Sequence, residues 1–223
     1  MNECRPIPIP RKAVFFMFTF RWTRFLSGSG DQAPPAVYFA SLPVLETARL
    51  VIRPLRRQDA RDIYAYASDP EVARFVLWEP HRSLSDTRTW IRYVRGLYRQ
   101  GLPASWAVTL HDSGRVIGTI GFMWYSEANA AGEIGYSFSR AEWNRGYATE
   151  ALRAVIDSAF SALPLNRLEA QYDLRNPASG RVMEKCGMRK EGVLRERIKN
   201  KGEFVSVALC SVLRSDLEPR SDL

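Results

Sequence analysis

The sequence predicts an α/β domain with a mixed, mostly antiparallel sheet and helices on both faces. Two observations lead there. Segments alternating as strands and joined by turns dominate the first half, and strand, helix and strand follow one another in the second, the order that builds sheets covered on both sides.

"ARLVIRPL" alternates as a strand and stops at Pro54. "DARDIYAYASD" places apolar residues at helical spacing behind a candidate cap at Gln58 and Asp59, and a second helix is expected in "DTRTWIRYVRGLYRQ", ending near Gly101. "SWAVTL", the turn "HDSGR" and "VIGTIGFMW" read as a β-hairpin, and "GEIGYSFS" is a further alternating strand. A helix then runs to near Phe160, "RLEAQYDL" returns as a strand, "PASGRVMEKCG" makes a short helix closed by Gly187, and "FVSVALCSVL" is a long strand. No internal repeat is evident.

The 223 residues suffice for one domain with a core plus an appendage. The boundaries expected are a flexible or mis-assigned extension over 1–43, a domain over 44–214 and a tail over 215–223. In the extension, "RPIPIPRK", "SGSG" and "QAPPA" leave little room for a packed element, and the apolar run from Ala13 to Phe20 lacks the cleavage site of a signal peptide. No run approaches the roughly 18 apolar residues that span a bilayer, so no membrane partner is expected. Three cysteines, Cys4, Cys186 and Cys210, form no C-x-x-C pair, and the two histidines, His81 and His111, stand apart. Neither a metal site nor a disulfide framework is suggested, and a cytoplasmic location fits. A net charge of +8 favours an anionic partner without choosing between a polyphosphate, RNA and an acidic surface.

The stretch "AEWNRGYATEALRAVI" turns from a polar segment into a helix at Gly146. The first N–H groups of a helix have no intrahelical acceptor and lie at the positive end of its dipole, so this corner suits an anion. Gly146 keeps a Cβ out of the way, Ala148 is the next smallest choice, and Arg145 adds charge. Neither G-x-x-x-x-G-K-[ST] nor G-x-G-x-x-G is present, which argues against a nucleoside triphosphate or a dinucleotide.

In order and spacing, "LETARLVIRPL", "GEIGYSFSRAEWNRGYATEAL" and "NPASGRVMEKCGMRKEGVLRE" resemble the GCN5-related N-acetyltransferase (GNAT) superfamily, and within it the Rim-type ribosomal-protein acetyltransferases, over about residues 44–214. The resemblance implies the acyl-CoA N-acyltransferase fold and acetyl-CoA as co-substrate, without a metal. Its corner signature, Q/R-x-x-G-x-G/A, is met by Gly146 and Ala148, with Trp143 in the first place. The loop of Arg145, Gly146, Tyr147, Ala148 and Thr149 would then bind the pyrophosphate. The strand "GEIGYSFS" would splay from its neighbour and pair with the pantetheine arm near Ser137, Phe138 and Ser139, and Asn176 would hydrogen-bond the same arm.

Alternation puts Glu133, Gly135 and Ser137 on one face and Ile134, Tyr136 and Phe138 on the other, making Glu133 a candidate general base. Many members of the superfamily carry a proton-donating tyrosine where Met183 stands, and methionine cannot donate. In the Rim-type branch a serine takes that place, here Ser179, which could also touch the cofactor. Glu196 resembles a second base in the last hairpin, "EGVLRERIKNKGEF". Cys186, at the helix end, reads as packing and not as a nucleophile, and Cys210 stands where many relatives carry a tyrosine.

The function expected is transfer of acetyl to a primary amine, either a protein N-terminus or a small molecule. Ribosome association and a monomeric or homodimeric state are compatible with it. The competing readings are a non-catalytic acetyl-CoA sensor or scaffold, which the loss of a tyrosine at Met183 would suit, and a ribosome- or RNA-binding protein using its arginines. The acceptor groove is expected between about Asp59 and Gly101, at Trp78 to His81 and in the last hairpin.

Overall fold

A computed structural model describes residues 34–217. Expectations on residues 1–33, Cys4 among them, and on 218–223 lie outside the described residues.

The described chain opens with α1 (Pro35–Ala40), β1 (Leu45–Glu46) and β2 (Leu50–Pro54). Helices α2 (Ala60–Ala67), α3 (Pro70–Ala73) and α4 (Leu84–Gln100) lead to the strands β3 (Ser105–Leu110), β4 (Val116–Ser126) and β5 (Ala131–Phe138). Then come α5 (Tyr147–Ala162), β6 (Arg167–Asp173), α6 (Pro177–Lys185), β7 (Arg189–Asn200), β8 (Glu203–Leu213) and α7 (Arg214–Leu217). The eight strands form one sheet in the order β1-β2-β3-β4-β5-β6-β8-β7. Of the neighbouring pairs only β5 and β6 are parallel.

Tyr136 and Ser137 show how the helices divide between the faces. The Tyr136 hydroxyl donates to the Ser179 carbonyl in α6, whereas Ser137 Oγ lies 3.3 Å from Thr119 Oγ1, which in turn accepts from Tyr66 of α2. Neighbours on one strand point to opposite faces, so α6 and α2 cover opposite sides.

Local chemistry sets the ends of the elements. Ser83 and Asp86 form a reciprocal capping box at the start of α4, two residues before the expected start, and Gly101 ends the helix with a left-handed φ of 63°. A Cβ on Gly101 would come within 2.6 Å of the Ala36 carbonyl. Asp59 binds Arg53 through both oxygens, at 2.8 and 2.9 Å, and also accepts from the Arg56 N–H, which fixes the chain entering α2. Both side chains are buried, and breaking such a pair typically costs about 3–5 kcal/mol.

The start of the domain differs from the expectation of an unpacked extension through residue 43. Tyr38, Phe39 and Leu42 are buried, Phe39 meets Phe122 edge-on with centroids 5.2 Å apart, and Trp106 donates to the Pro43 carbonyl. Pro34 and Pro35 start a helix here because a proline at N1 sacrifices no hydrogen bond. Strand β7 was legible only through the resemblance. Its repeated charges hide the alternation, and two register shifts against β8 interrupt it.

Candidate active site

Strand β5 pairs with β4 along its whole length but with β6 at only three positions, the last being Glu133 with Glu169. Beyond that rung β6 continues against β8 as far as Asp173. Strands β5 and β6 therefore part at Glu133, and the cleft between them is bordered by Ser137 and Phe138 on one side and by the entry to α6 on the other.

Glu133 stands where the cleft opens, on the predicted face, and both its oxygens are engaged. Trp124 Nε1 donates to Oε2 at 2.7 Å and Gln171 Nε2 to Oε1 at 2.9 Å. A register shift in β4 between Phe122 and Trp124 swings the indole into place and leaves Met123 exposed over Gly135, where a Cβ would lie 2.7 Å from its sulfur. Neutral donors hold this carboxylate in one orientation without cancelling its charge.

At the entry to α6, Asn176 Nδ2 donates to Ser179 Oγ at 3.2 Å, and the Ser179 N–H donates to the Asn176 carbonyl. Gly180 lets this turn settle on β6, since a Cβ there would lie 2.6 Å from the Tyr172 ring. Met183 is buried in the core. Cys186 is buried too, its thiol donating to the Thr149 carbonyl and pushed up to about 11 chiefly by burial, which fits the expected packing role. Cys210 is likewise buried.

The corner before α5 turns on a backbone conformation that the sequence reading did not specify. Gly146 is left-handed, at φ 82°, and Tyr147 follows it in helical conformation, an alternation that turns successive N–H groups to one side. Ala148 and Thr149 continue the first turn of α5. The Arg145 guanidinium is turned back to Glu142 at 3.3 Å, and Glu142 is buried and also held by Arg115 at 2.7 Å. Trp143 supplies a contact with no counterpart in the sequence reading, its indole N–H donating to the Phe138 carbonyl at 2.9 Å and tying the corner to the end of β5.

Two expected positions do not join this cluster. The Ser139 N–H is committed to the Ile117 carbonyl at 2.8 Å, so it is Ser137 and Phe138 that border the cleft. Glu196 sits in the β7 irregularity with φ 48°, its side chain exposed and its N–H donating to Ser206 Oγ. It lies beyond β8 from the cleft and makes no hydrogen bond to Glu133 or Ser179. The sequence reading also missed Trp124, Gln171 and Arg49. Gln171 was the accessible one, because alternation along "RLEAQYDL" puts it on the face of Glu169, the partner of Glu133.

The last hairpin and the helical segment after α2, two of the regions expected to line the acceptor groove, touch each other. Lys201, at the tip of the β7–β8 hairpin, donates to the carbonyl of Ala73, the last residue of α3, and to that of Val76 just beyond it. His81 is packed between Trp78 and Trp90, at centroid distances of 5.7 and 6.5 Å, with Nδ1 2.8 Å from Thr87 Oγ1, and burial lowers its pKa. Among the described residues no helix is long and apolar enough to cross a membrane.

Residues 49–189 match the acetyltransferase (GNAT) domain model. The uncharacterized N-acetyltransferase p20 of Bacillus licheniformis is 33% identical over 78% of this chain and 98% of its own length. The ribosomal-protein-uS5-alanine N-acetyltransferase of Escherichia coli is 25% identical over 78% of this chain and 93% of its own length. A crystal structure of a GNAT-family acetyltransferase from Bacillus anthracis superposes with a TM-score of 0.69 and 30% identity, covering 77% of this chain and 98% of that one. With a parted β5–β6 pair, a left-handed glycine opening α5 and these relatives, the chain belongs to the GNAT family and is an acetyl-CoA dependent N-acetyltransferase.

Proposed function

We propose that this enzyme acetylates an α-amine, either of a protein N-terminus or of a small molecule, with Glu133 as the proton acceptor. The observation carrying this reading is the carboxylate at the parting of β5 and β6, fixed by Trp124 and Gln171 and forming no ion pair among the described residues. An α-amine with a pKa near 7.7–8.0 is about a tenth neutral at pH 7, whereas a lysine near 10.4 is neutral in roughly one molecule in two thousand. A single carboxylate, acting directly or through a water, is adequate for the first and poorly matched to the second. The likeness to a ribosomal-protein-alanine acetyltransferase supports the same acceptor class.

In this reading the corner of Gly146, Tyr147, Ala148 and Thr149 holds the pyrophosphate of acetyl-CoA with its N–H groups, while Ser137, Phe138 and Asn176 border the pantetheine arm. Ser179 Oγ, oriented by Asn176, gives its proton to the departing thiolate. The geometry favours serine because Met183, in the tyrosine's place, points into the core.

The test is thiol release from acetyl-CoA with peptides bearing Ala, Ser or Thr at the N-terminus, the same peptides blocked at the α-amine but carrying lysine, and small primary amines. Release with free α-amines and not with lysine is expected. Turnover of the blocked lysine peptides alone would overturn the acceptor class, and tight acetyl-CoA binding with no release from any acceptor would favour a sensor.

A further inference from the structure

Arg49 reaches the glycine corner from the opposite end of the sequence. Its Nε and Nη2 donate to Glu150 Oε2 at 2.7 and 2.6 Å, its N–H donates to Oε1 at 2.9 Å, and Thr47 Oγ1 donates to the same Oε1 at 2.6 Å. The remaining arm, Nη1, donates to the Arg145 carbonyl at 2.9 Å, and the guanidinium carbon lies 4.4 Å from the centroid of the Tyr147 ring. One side chain thus holds the residues on both sides of Gly146, and a Cβ on Gly146 would come within 3.4 Å of it.

The peptide plane gives this contact a consequence for binding. In a trans peptide the carbonyl and the following N–H point in opposite directions. With the Arg145 carbonyl drawn to Arg49, the Gly146 N–H is turned away from Arg49, towards the outside of the corner. Charge acts in the same sense. Glu150 lies in the first turn of α5, where an unneutralised carboxylate would occupy the positive end of the helix and repel a second anion. Arg49 neutralises it, and Thr47 and the Arg49 N–H saturate its other oxygen.

We infer that Arg49 is a positioning residue for the co-substrate: through Glu150 and the Arg145 carbonyl it presets the corner so that its N–H groups face the pyrophosphate. The inference rests on the reading of this corner as the pyrophosphate site. It makes no use of Arg49 as a direct phosphate ligand. Its guanidinium is already divided among a carboxylate, a carbonyl and an aromatic face, a fork that lysine cannot reproduce.

The experiment compares kcat/KM for acetyl-CoA with that for S-acetyl-pantetheine, which lacks the pyrophosphate. Arg49→Ala should reduce the preference for acetyl-CoA by about tenfold, leaving S-acetyl-pantetheine within about twofold of the parent enzyme. Glu150→Gln should shift the preference in the same direction by a smaller factor, and Arg49→Lys should remain impaired. Equal losses with both donors would mean general structural damage and would overturn the inference, as would full recovery with lysine, which would leave charge alone as the cause. Gly146→Val separates the two readings. If it abolishes the preference and Arg49→Ala does not, the pyrophosphate corner stands and the role of Arg49 falls. If Gly146→Val leaves the preference intact, the corner reading itself fails.

Discussion

Gln171 donates from Nε2 to Glu133 Oε1 at 2.9 Å, just beyond the last rung that joins β5 to β6. Opposite it, the Trp124 indole takes Oε2 at 2.7 Å. The carboxylate is thereby aimed, yet each oxygen retains a lone pair for an amine or a water. Replacing Glu133 by Gln should lower kcat/KM for an α-amine acceptor by about tenfold or more at pH 7, within or just below the usual range for a lost general base. The deficit should shrink towards pH 9, where most of an α-amine is neutral without help. A pH–rate profile of Glu133→Gln running parallel to that of the parent enzyme would remove Glu133 from the proton path.

Ser179 differs from Glu133 in what its loss should do. Its N–H and Oγ are tied to Asn176, and its carbonyl accepts from Tyr136, whose own pKa is raised by burial. Only Oγ is removed by Ser179→Ala, so the turn at the entry to α6 should persist. Turnover should fall by about tenfold or more and acetyl-CoA affinity by less than about threefold, since a proton donor acts mainly in the transition state. Calorimetric affinity measured beside steady-state kcat decides it, and turnover within about twofold of the parent would assign the proton to another group.

Much of this site was legible because strand alternation is a strict rule. Once "GEIGYSFS" is a strand, Glu133 and Ser137 must share a face opposite Tyr136 and Phe138, and the structure keeps that division. Gly146 was legible only as a small residue where a polar segment becomes a helix, and its left-handed φ of 82° was not foreseen. What stayed hidden depends on pairing between distant segments. The Trp124 contact requires a bulge in β4, which no local pattern announces, and the hold of Arg49 on the corner joins residues about a hundred apart in sequence. Glu196 was placed by likeness to a hairpin whose register shifts twice, and there a slip of one residue moves a side chain to the other face of the sheet.

Cys186 offers a chemical check on the packing around α5 and α6. Burial raises its thiol to about 11, the Arg153 charge opposing in part, so about one molecule in a thousand carries the thiolate at pH 8. It should resist a disulfide reagent at that pH in the native protein and react promptly once the chain is unfolded. Peptide mass mapping distinguishes it from Cys4 and Cys210. Fast native labelling at Cys186 would mean that the end of α6 opens readily from α5.

Glu150 links the corner to stability as well as to binding. Burial by itself would raise its carboxyl, but hydrogen bonds from Thr47 and from the Arg49 side chain and N–H, together with the Arg49 charge, outweigh that and hold it below its ordinary value of 4.5. A carboxyl bound more favourably as the anion in the folded state stabilises the fold above its unfolded pKa, and that contribution is lost as pH falls through the folded value. Glu150→Gln should therefore melt about 2–4 °C below the parent protein at pH 7, and the gap should narrow progressively below about pH 4.5. Part of the ion pair is exposed to solvent, so added salt should also reduce the gap at pH 7. Melting curves of both proteins at pH 7, 5, 4 and 3 test this. A gap that is constant across the series would show that Glu150 acts through shape and not through its charge.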